Sequence, residues 1–413
     1  MTVSLPRSIV FLSPTELNPR SNGHSCILTL AMELKDAGHD VCLLPYQPYR
    51  FYRRYWPKLH QRFRQFRFIA HFREAPEGSL LVVPESAPRG LLKKARPYFQ
   101  QVLWWVLAPS GLLTTYKPAM RPGDLMLPFS TFAFPCHPNY LFIHPPADAE
   151  LTKANGSYRP HRQQLRSVCF YTGKGRLKAL PRPLHRALLG LNIRLITRDY
   201  PSTRKGLINL MADSRGLISF DPLTNIFLEA ANLGLPVYLT SNPFPPSCFN
   251  EFLVDLSTYV TDDAECFIDR LGADGPPQKL SLLRFRSVNR KAVALIQQLF
   301  TDPVLMESLR IGPDTLQSID HYCQSIKDTR TIQTVFNGTA LSSGFARLYV
   351  RTLKLPYWTH SALCLLLNLI DRVADVLGAI GLFRLLQPFI VFFSTRLFSF
   401  GSRLRRLPPI SWF

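Results

Sequence analysis

The sequence predicts an α/β fold in two halves, followed by a helical C-terminal segment of different character. Three observations predict it. Short apolar runs ended by Pro, Ser or Gly alternate with helically spaced stretches, the pattern of strands and crossover helices. The alternation occurs twice, on either side of a polar, basic stretch at 147–165. The chain has 413 residues, too many for one ordinary core and enough for two domains plus an extension.

The first half opens on "IVFLSPT", an uninterrupted apolar run of the kind found in buried parallel strands. A polar loop, "ELNPRSNGHS", leads into "CILTLAMELKDAGHD", where Leu28, Ala31, Met32 and Leu34 have helical spacing and Gly38 is a stop. "DVCLLPY" completes a βαβ unit. Strand-like runs follow at 79–86 (SLLVVPES), 101–110 (QVLWWVLAPS), 124–130 (DLMLPFS) and 140–146 (YLFIHPP). The second half repeats the pattern with runs at 167–175, 193–199, 215–221 and 236–242, and from about 280 to 330 the sequence is helical. The expected domains are 1–150 and 166–305, then a helical return at 306–344 and a tail at 345–413.

The formal net charge of +21 implies attraction to something anionic. The eight cysteines stand singly, with no metal-type spacing, which suits a reduced chain without a disulfide frame. The N-terminus lacks the pattern of a secretion signal, so a cytoplasmic location is expected. Residues 50–73 mix eight Lys or Arg with aromatics. No nucleic-acid motif accompanies them, so a basic helix docking on anionic lipid is expected rather than specific nucleic-acid binding. In the tail, Asn368, Asp371, Arg372 and Asp375 share one helical face and the rest of 361–383 is apolar. Asp375, Arg384, Gln387 and Pro388 interrupt the longest run, which favours a helix lying in the membrane plane over one spanning it.

The stretch "SFDPLTNIFLEAANLGLPVYL", 219–239, concentrates the chemistry. Asp221 before Pro222 has the form of a helix cap, and Gly234 of a stop. Helical spacing sets Asp221, Asn225 and Glu229 in one row beside an apolar face of Leu223, Ile226, Phe227, Ala230 and Leu233. Such a row is either a capped helix with a solvated edge, or a helix N-terminus that holds a phosphate beside carboxylates that hold sugar hydroxyls.

This stretch resembles the donor-binding signature of glycosyltransferases with the GT-B fold, whose retaining members carry two acidic residues separated by seven. Glu229-Ala230 and Gly234-Leu235-Pro236-Val237 match, while Asp221 stands where that family usually has Glu. The resemblance implies two Rossmann-like domains facing a cleft, with an acceptor domain first and a nucleotide-sugar domain second. It implies that Glu229 binds the nucleotide ribose, that Asp221 contacts the transferred sugar, and that backbone N–H groups around Leu223, Thr224 and Asn225 face the diphosphate. "FYTGKGRLKALP" is similar to the family's second-domain opening, with Lys174, Arg176 and Lys178 as phosphate-gripping candidates. "NPRSNGHSCILTLAMELKDAGHDV" is similar to its first βαβ unit, with Gly23 and His24 in the loop that meets the cleft.

Transfer from a nucleotide diphosphate requires charge stabilisation of the leaving group, here by Lys174 and Arg176, with Arg198 and Arg204 as secondary candidates. No metal site and no cofactor beyond the donor substrate are expected, and retention follows from the resemblance. His24 is a candidate for contact with acceptor or donor phosphate. Glu85, at a strand's C-terminal end, is an acceptor-side candidate. The expected partners are a nucleotide-sugar donor, a glycan or lipid-linked acceptor and an anionic membrane surface, at the inner face of the plasma membrane. A nucleotide-sugar epimerase and a non-catalytic membrane scaffold with the same fold are the alternatives.

Overall fold

In the computed structural model the described residues are 8–13, 22–45, 66–110, 112, 118–135, 137–143, 165–197, 200–201, 203–224, 226–244, 258–273, 282–329 and 340–379. They contain two separate parallel sheets. The first comprises β1 (Ile9–Ser13), β2 (Val41–Pro45), β3 (Arg67–Phe68), β4 (Leu80–Pro84), β5 (Gln101–Val106) and β6 (Leu125–Pro128). Its order is β3-β2-β1-β4-β5-β6. Every residue of β1, β2 and β4 is buried, which is why these strands read as unbroken apolar runs. Register places Ile9 between Val41 and Leu80. Helix α1 (Asn22–Asp36) follows β1, and α2 (Arg89–Ala95) follows β4.

The second sheet comprises β7 (Ser167–Tyr171), β8 (Asn192–Ile196), β9 (Leu217–Ser219), β10 (Val237–Leu239) and β11 (Val260–Thr261), in the order β11-β10-β9-β7-β8. Its crossovers carry α3 (Arg182–Leu188), α4 (Arg204–Ala212) and α5 (Ile226–Asn232), and α6 (Ala264–Gly272) follows β11. Both strand orders are those of doubly wound nucleotide-binding sheets, and each reverses direction once: between β1 and β4, and between β7 and β9.

The chain then returns to the first sheet earlier than the expected boundary. Helix α7 (Leu282–Leu299) leads, and α8 (Pro303–Ser308) and α9 (Pro313–Asp328) follow. Ala292, Val293, Ile296 and Leu299 of α7 already belong to the first sheet's core, with Met306, Leu309 and Ile319 behind them. Residues 309–311 also cover the open edge of β6: Met126 N–H donates to Leu309 at 2.9 Å and Ile311 N–H to Asp124 at 2.7 Å. The apolar stripe of α7 was legible; the sheet it would meet was not.

Three further expectations change. Residues 140–143 form no strand. Leu141 N–H donates to the Pro128 carbonyl, and the Trp105 indole N–H donates to the Leu141 carbonyl at 2.9 Å, so this segment is held by single bonds rather than a ladder. Within the basic stretch, 50–65 lie outside the described residues, and 66–74 hold β3 and a 3₁₀ turn (Phe72–Glu74) instead of a helix. The described part of the tail is not an appendage. Helices α10 (Ala340–Thr352) and α11 (Tyr357–Ala379) place Phe345, Tyr349, Leu353, Cys364 and Leu367 in the second sheet's core. Among the described residues no helix is long and apolar enough to cross a membrane.

The two halves meet at an aromatic contact. Phe132, after β6, lies edge-on to Phe244, after β10, at 4.9 Å.

Candidate functional site

In open α/β sheets ligands collect outside the strand C-termini at the point where strand order reverses. In the second sheet that point is occupied by the loops after β7 and β9. The loop after β7 runs Thr172-Gly173-Lys174-Gly175-Arg176. Gly173 has φ of 44°, and a Cβ there would strike the Asp221 carboxylate. A Cβ on Gly175 would strike the Phe220 carbonyl, so this loop approaches the β9 turn more closely than any side chain allows. The close approach lets Asp221 bind both segments. Its Oδ2 accepts from Lys174 N–H and its Oδ1 from Leu223 N–H, each at 2.9 Å. Asp221 is completely buried.

The helical row is therefore corrected. Helix α5 begins at Ile226, so Asp221 precedes it and joins two loops. Leu223 N–H, expected to face a diphosphate, is held by Asp221. The Leu223 contact is local, two residues along the chain, and the glycine loop adds a tertiary one by bringing Lys174 N–H to the other oxygen. The Thr224 hydroxyl accepts from Ile226 N–H at the start of α5. Glu229 lies in the first turn of α5 and is 8% exposed. The apolar face behaves as read, with Ile226, Phe227, Ala230 and Leu233 in the core. Asn225 and Arg198 lie outside the described residues, as does the side chain of Arg204.

Lys174 lies in the turn after β7, and Arg176 and Lys178 follow in the irregular segment beyond it. The Lys174 ammonium donates to the Leu223 carbonyl at 3.2 Å, and that of Lys178 to the Ser241 hydroxyl, just past β10, at 2.9 Å. Arg176 is buried. Burial, and then the neighbouring Arg176 charge, push the Lys178 amine below its ordinary pKa. Two cations pressed together in a partly dry place favour an anion beside them. The Tyr349 hydroxyl of α10 holds the Lys178 carbonyl at 2.7 Å, a support the sequence gave no signal for. Ser241 was likewise missed, although its place after a buried strand is a usable signal.

The first sheet's reversal point carries the opposite charge. Glu85 follows β4, is 5% exposed, and accepts from Leu107 N–H at 2.8 Å. Burial raises its pKa to about 7, partly opposed by backbone N–H groups of Leu107, Glu85 itself and Ala108 and by the charge of Lys174. Lys174 belongs to the second sheet's loop, so its charge acts on Glu85 from the other sheet. Gly23 packs on Leu107, where a Cβ would meet the side chain at an ordinary 3.4 Å. The structure thus brings Gly23 to the loop that holds Glu85. His24, half-buried, is the next residue of α1.

Cavities of about 420 and 460 Å³ lie elsewhere, one beside Tyr140 and α7, the other beside Phe134 and α9. Neither is lined by Glu85, Lys174, Arg176, Lys178, Asp221 or Glu229, so the site is defined by its chemistry. Among the described residues no group of three or more His, Cys, Asp or Glu could hold a metal ion.

No family model matches the chain, and no curated protein matches it. Among solved structures it is similar to a glycosyltransferase from Rickettsia africae ESF-5, at 11% identity and a TM-score of 0.38 over 78% of this chain and 99% of that one. It is also similar to AviGT4, a glycosyltransferase involved in avilamycin A biosynthesis, at 14% identity and a TM-score of 0.35, covering 77% and 98%. The wall teichoic acid polymerase TagF matches at 13% identity and a TM-score of 0.29, covering 79% and 90%. At such values the description of the fold rests on the strand orders themselves.

Proposed function

We propose that this chain transfers a sugar from a nucleotide-sugar donor to a glycan or lipid-linked acceptor, in surface polysaccharide synthesis. One observation carries the proposal: the glycine loop at the second sheet's reversal point, locked by Asp221, brings Lys174, Arg176 and Lys178 beside the segment that leads into the Glu229 helix. Lys174, Arg176 and Lys178 meet the requirement for charge on the leaving diphosphate, in the role a metal has in other transferases. Glu229, on the helix beside them, takes the nucleotide ribose. Asp221, with both oxygens on backbone N–H groups, positions the cationic loop and does not meet the sugar. Glu85 stands on the acceptor side, where a carboxyl with a pKa near 7 exchanges a proton with a hydroxyl at neutral pH. The anomeric configuration of the product, read by NMR, separates Glu85 as proton acceptor, which inverts, from the retention expected of the acidic pair.

Thermal unfolding with a panel of nucleotides and nucleotide sugars tests the proposal. A ligand at a hundredfold excess over its Kd adds about 2.7 kcal/mol. One nucleotide family is expected to stabilise the wild type, and Glu229→Ala to abolish the effect. If no nucleotide stabilises the wild type, the fold serves as a scaffold and the transfer proposal fails.

A further inference from the structure

Helix α11 has two apolar faces. The inner one carries His360, Cys364 and Leu367 into the second sheet's core. The outer one is exposed: Trp358 at 73%, Leu365 at 71%, Leu366 at 51%, Leu369 at 59%, Val373 at 52% and Val376 at 61%. At 3.6 residues per turn these six fall within an arc of about 100°, in a stripe running about 27 Å along the helix. A stripe of that length is more than scattered surface apolarity and calls for an occupant.

We infer that the outer face of α11 lies on an anionic lipid surface, with the helix in the membrane plane. Charge selects this occupant. Residues 340–413 carry nine Arg or Lys against two Asp, and residues 380–413, which continue the chain from α11, carry five Arg and no acid. Arg347, Arg351 and Lys354 on α10 and its turn are exposed, and so is Arg372 beside the stripe. A second copy of a chain with net charge +21 is repelled by these groups, whereas an anionic surface is attracted. Trp358, at one end of the stripe, is the residue type that settles at the boundary between headgroups and acyl chains. The apolar side chains enter that boundary by a few ångströms, as amphipathic surface helices do.

The docking does not depend on the donor assignment, but it bears on the same loop. Tyr349 of α10 holds the Lys178 carbonyl, and its ring packs on Phe170, Phe220 and the His360 of α11. A bilayer that holds α11 therefore holds the cationic loop at a fixed height above the lipid.

Flotation of the full chain with vesicles tests the inference. One set is phosphatidylcholine alone and the other an equal mixture with phosphatidylglycerol. Binding is expected to the mixture and to be released by high salt. Replacing Leu365→Asp and Leu369→Asp together is expected to weaken it on the order of a hundredfold. Both positions are exposed, so an unchanged thermal midpoint is expected to accompany the loss. Quenching of tryptophan fluorescence by brominated lipid is expected to fall in Trp358→Phe. Vesicle binding that survives the double substitution overturns the inference. So does a lipid-free dimer, seen by light scattering, that the same substitutions split, because the stripe is then covered by a second copy. A chain that binds vesicles and no nucleotide refutes the transfer proposal and leaves this one standing.

Discussion

The two sheets are wound in the same manner and reverse at corresponding places, yet the groups at the two reversal points are opposite. After β4 a single carboxylate, Glu85, is buried among backbone N–H groups and its pKa rises to about 7. After β7 and β9 a buried carboxylate, Asp221, is fully engaged by two loops, one of which carries Lys174 and Arg176. The architecture supplies a place; side chains on three or four loop positions decide whether that place favours protons or anions. The contrast also separates two uses of a buried acid. Asp221 locks the backbone. Glu85 touches backbone as well, but it stays poised between its charged and neutral forms.

The largest expected effect breaks the second reversal point while sparing the first. Gly175→Ala places a Cβ against the Phe220 carbonyl and should cost about 3 kcal/mol, read from denaturant unfolding. Gly23→Ala, at the first reversal point, meets only Leu107 at van der Waals distance and should change stability by about 0.5 kcal/mol or less. Equal effects would mean that the close approach of the two loops is not what holds the cationic segment.

The next effect is a pH dependence. The folded pKa of Glu85, about 7, exceeds the 4.5 of an ordinary glutamate, so between those values the folded protein binds more protons than the unfolded one. Its contribution to stability is complete below pH 4.5 and is lost as pH rises through 7. Glu85→Gln should remove that loss, flattening the stability profile by about 3 kcal/mol between pH 4.5 and 8 relative to wild type. His360, stacked on His185 at 5.2 Å, works in the other direction. Burial, then the charge of His185, lowers its pKa to about 4, so stability falls as pH drops from 6.5 towards 4 in both proteins. A Gln variant with the wild-type profile above pH 5 would show that Glu85 is charged throughout.

The smallest effect on stability belongs to Lys178. Its charge is already disfavoured by burial and by Arg176, so Lys178→Gln should leave unfolding within about 0.5 kcal/mol of wild type. Inorganic pyrophosphate binding, measured by calorimetry, should weaken about tenfold in the same variant, near 1.4 kcal/mol. Destabilisation without weaker binding would make Lys178 a packing residue, held between Ser241 and Tyr349.

Much of this was legible from local pattern. The strands β1, β2, β4, β5, β7, β9 and β10 sit where apolar runs place them, because a strand buried on both faces must be apolar throughout. Helices α1 and α7 follow from 3.6-residue spacing and their stops. Glu85 is a candidate by its place at a strand C-terminus, whereas Lys174 and Arg176 are candidates by the likeness of their loop sequence to a phosphate grip. The apolar side of α5 was also readable, but its start was not. A sequence of Asp then Pro is an ordinary cap, and nothing local tells that Gly173 and Gly175 deliver Lys174 N–H to that same Asp221.

What the sequence by itself determined is each element's type and the face it must bury, because propensity, periodicity and turn chemistry act over a few residues. Only the tertiary structure decided the partners: that α7 covers the first sheet, that α10 and α11 belong to the second sheet's core, that Tyr349 supports Lys178, and that Lys174 N–H meets Asp221. Those outcomes depend on residues tens to hundreds of positions apart competing for the same buried surface and the same hydrogen-bond acceptors. No window of the chain contains both competitors.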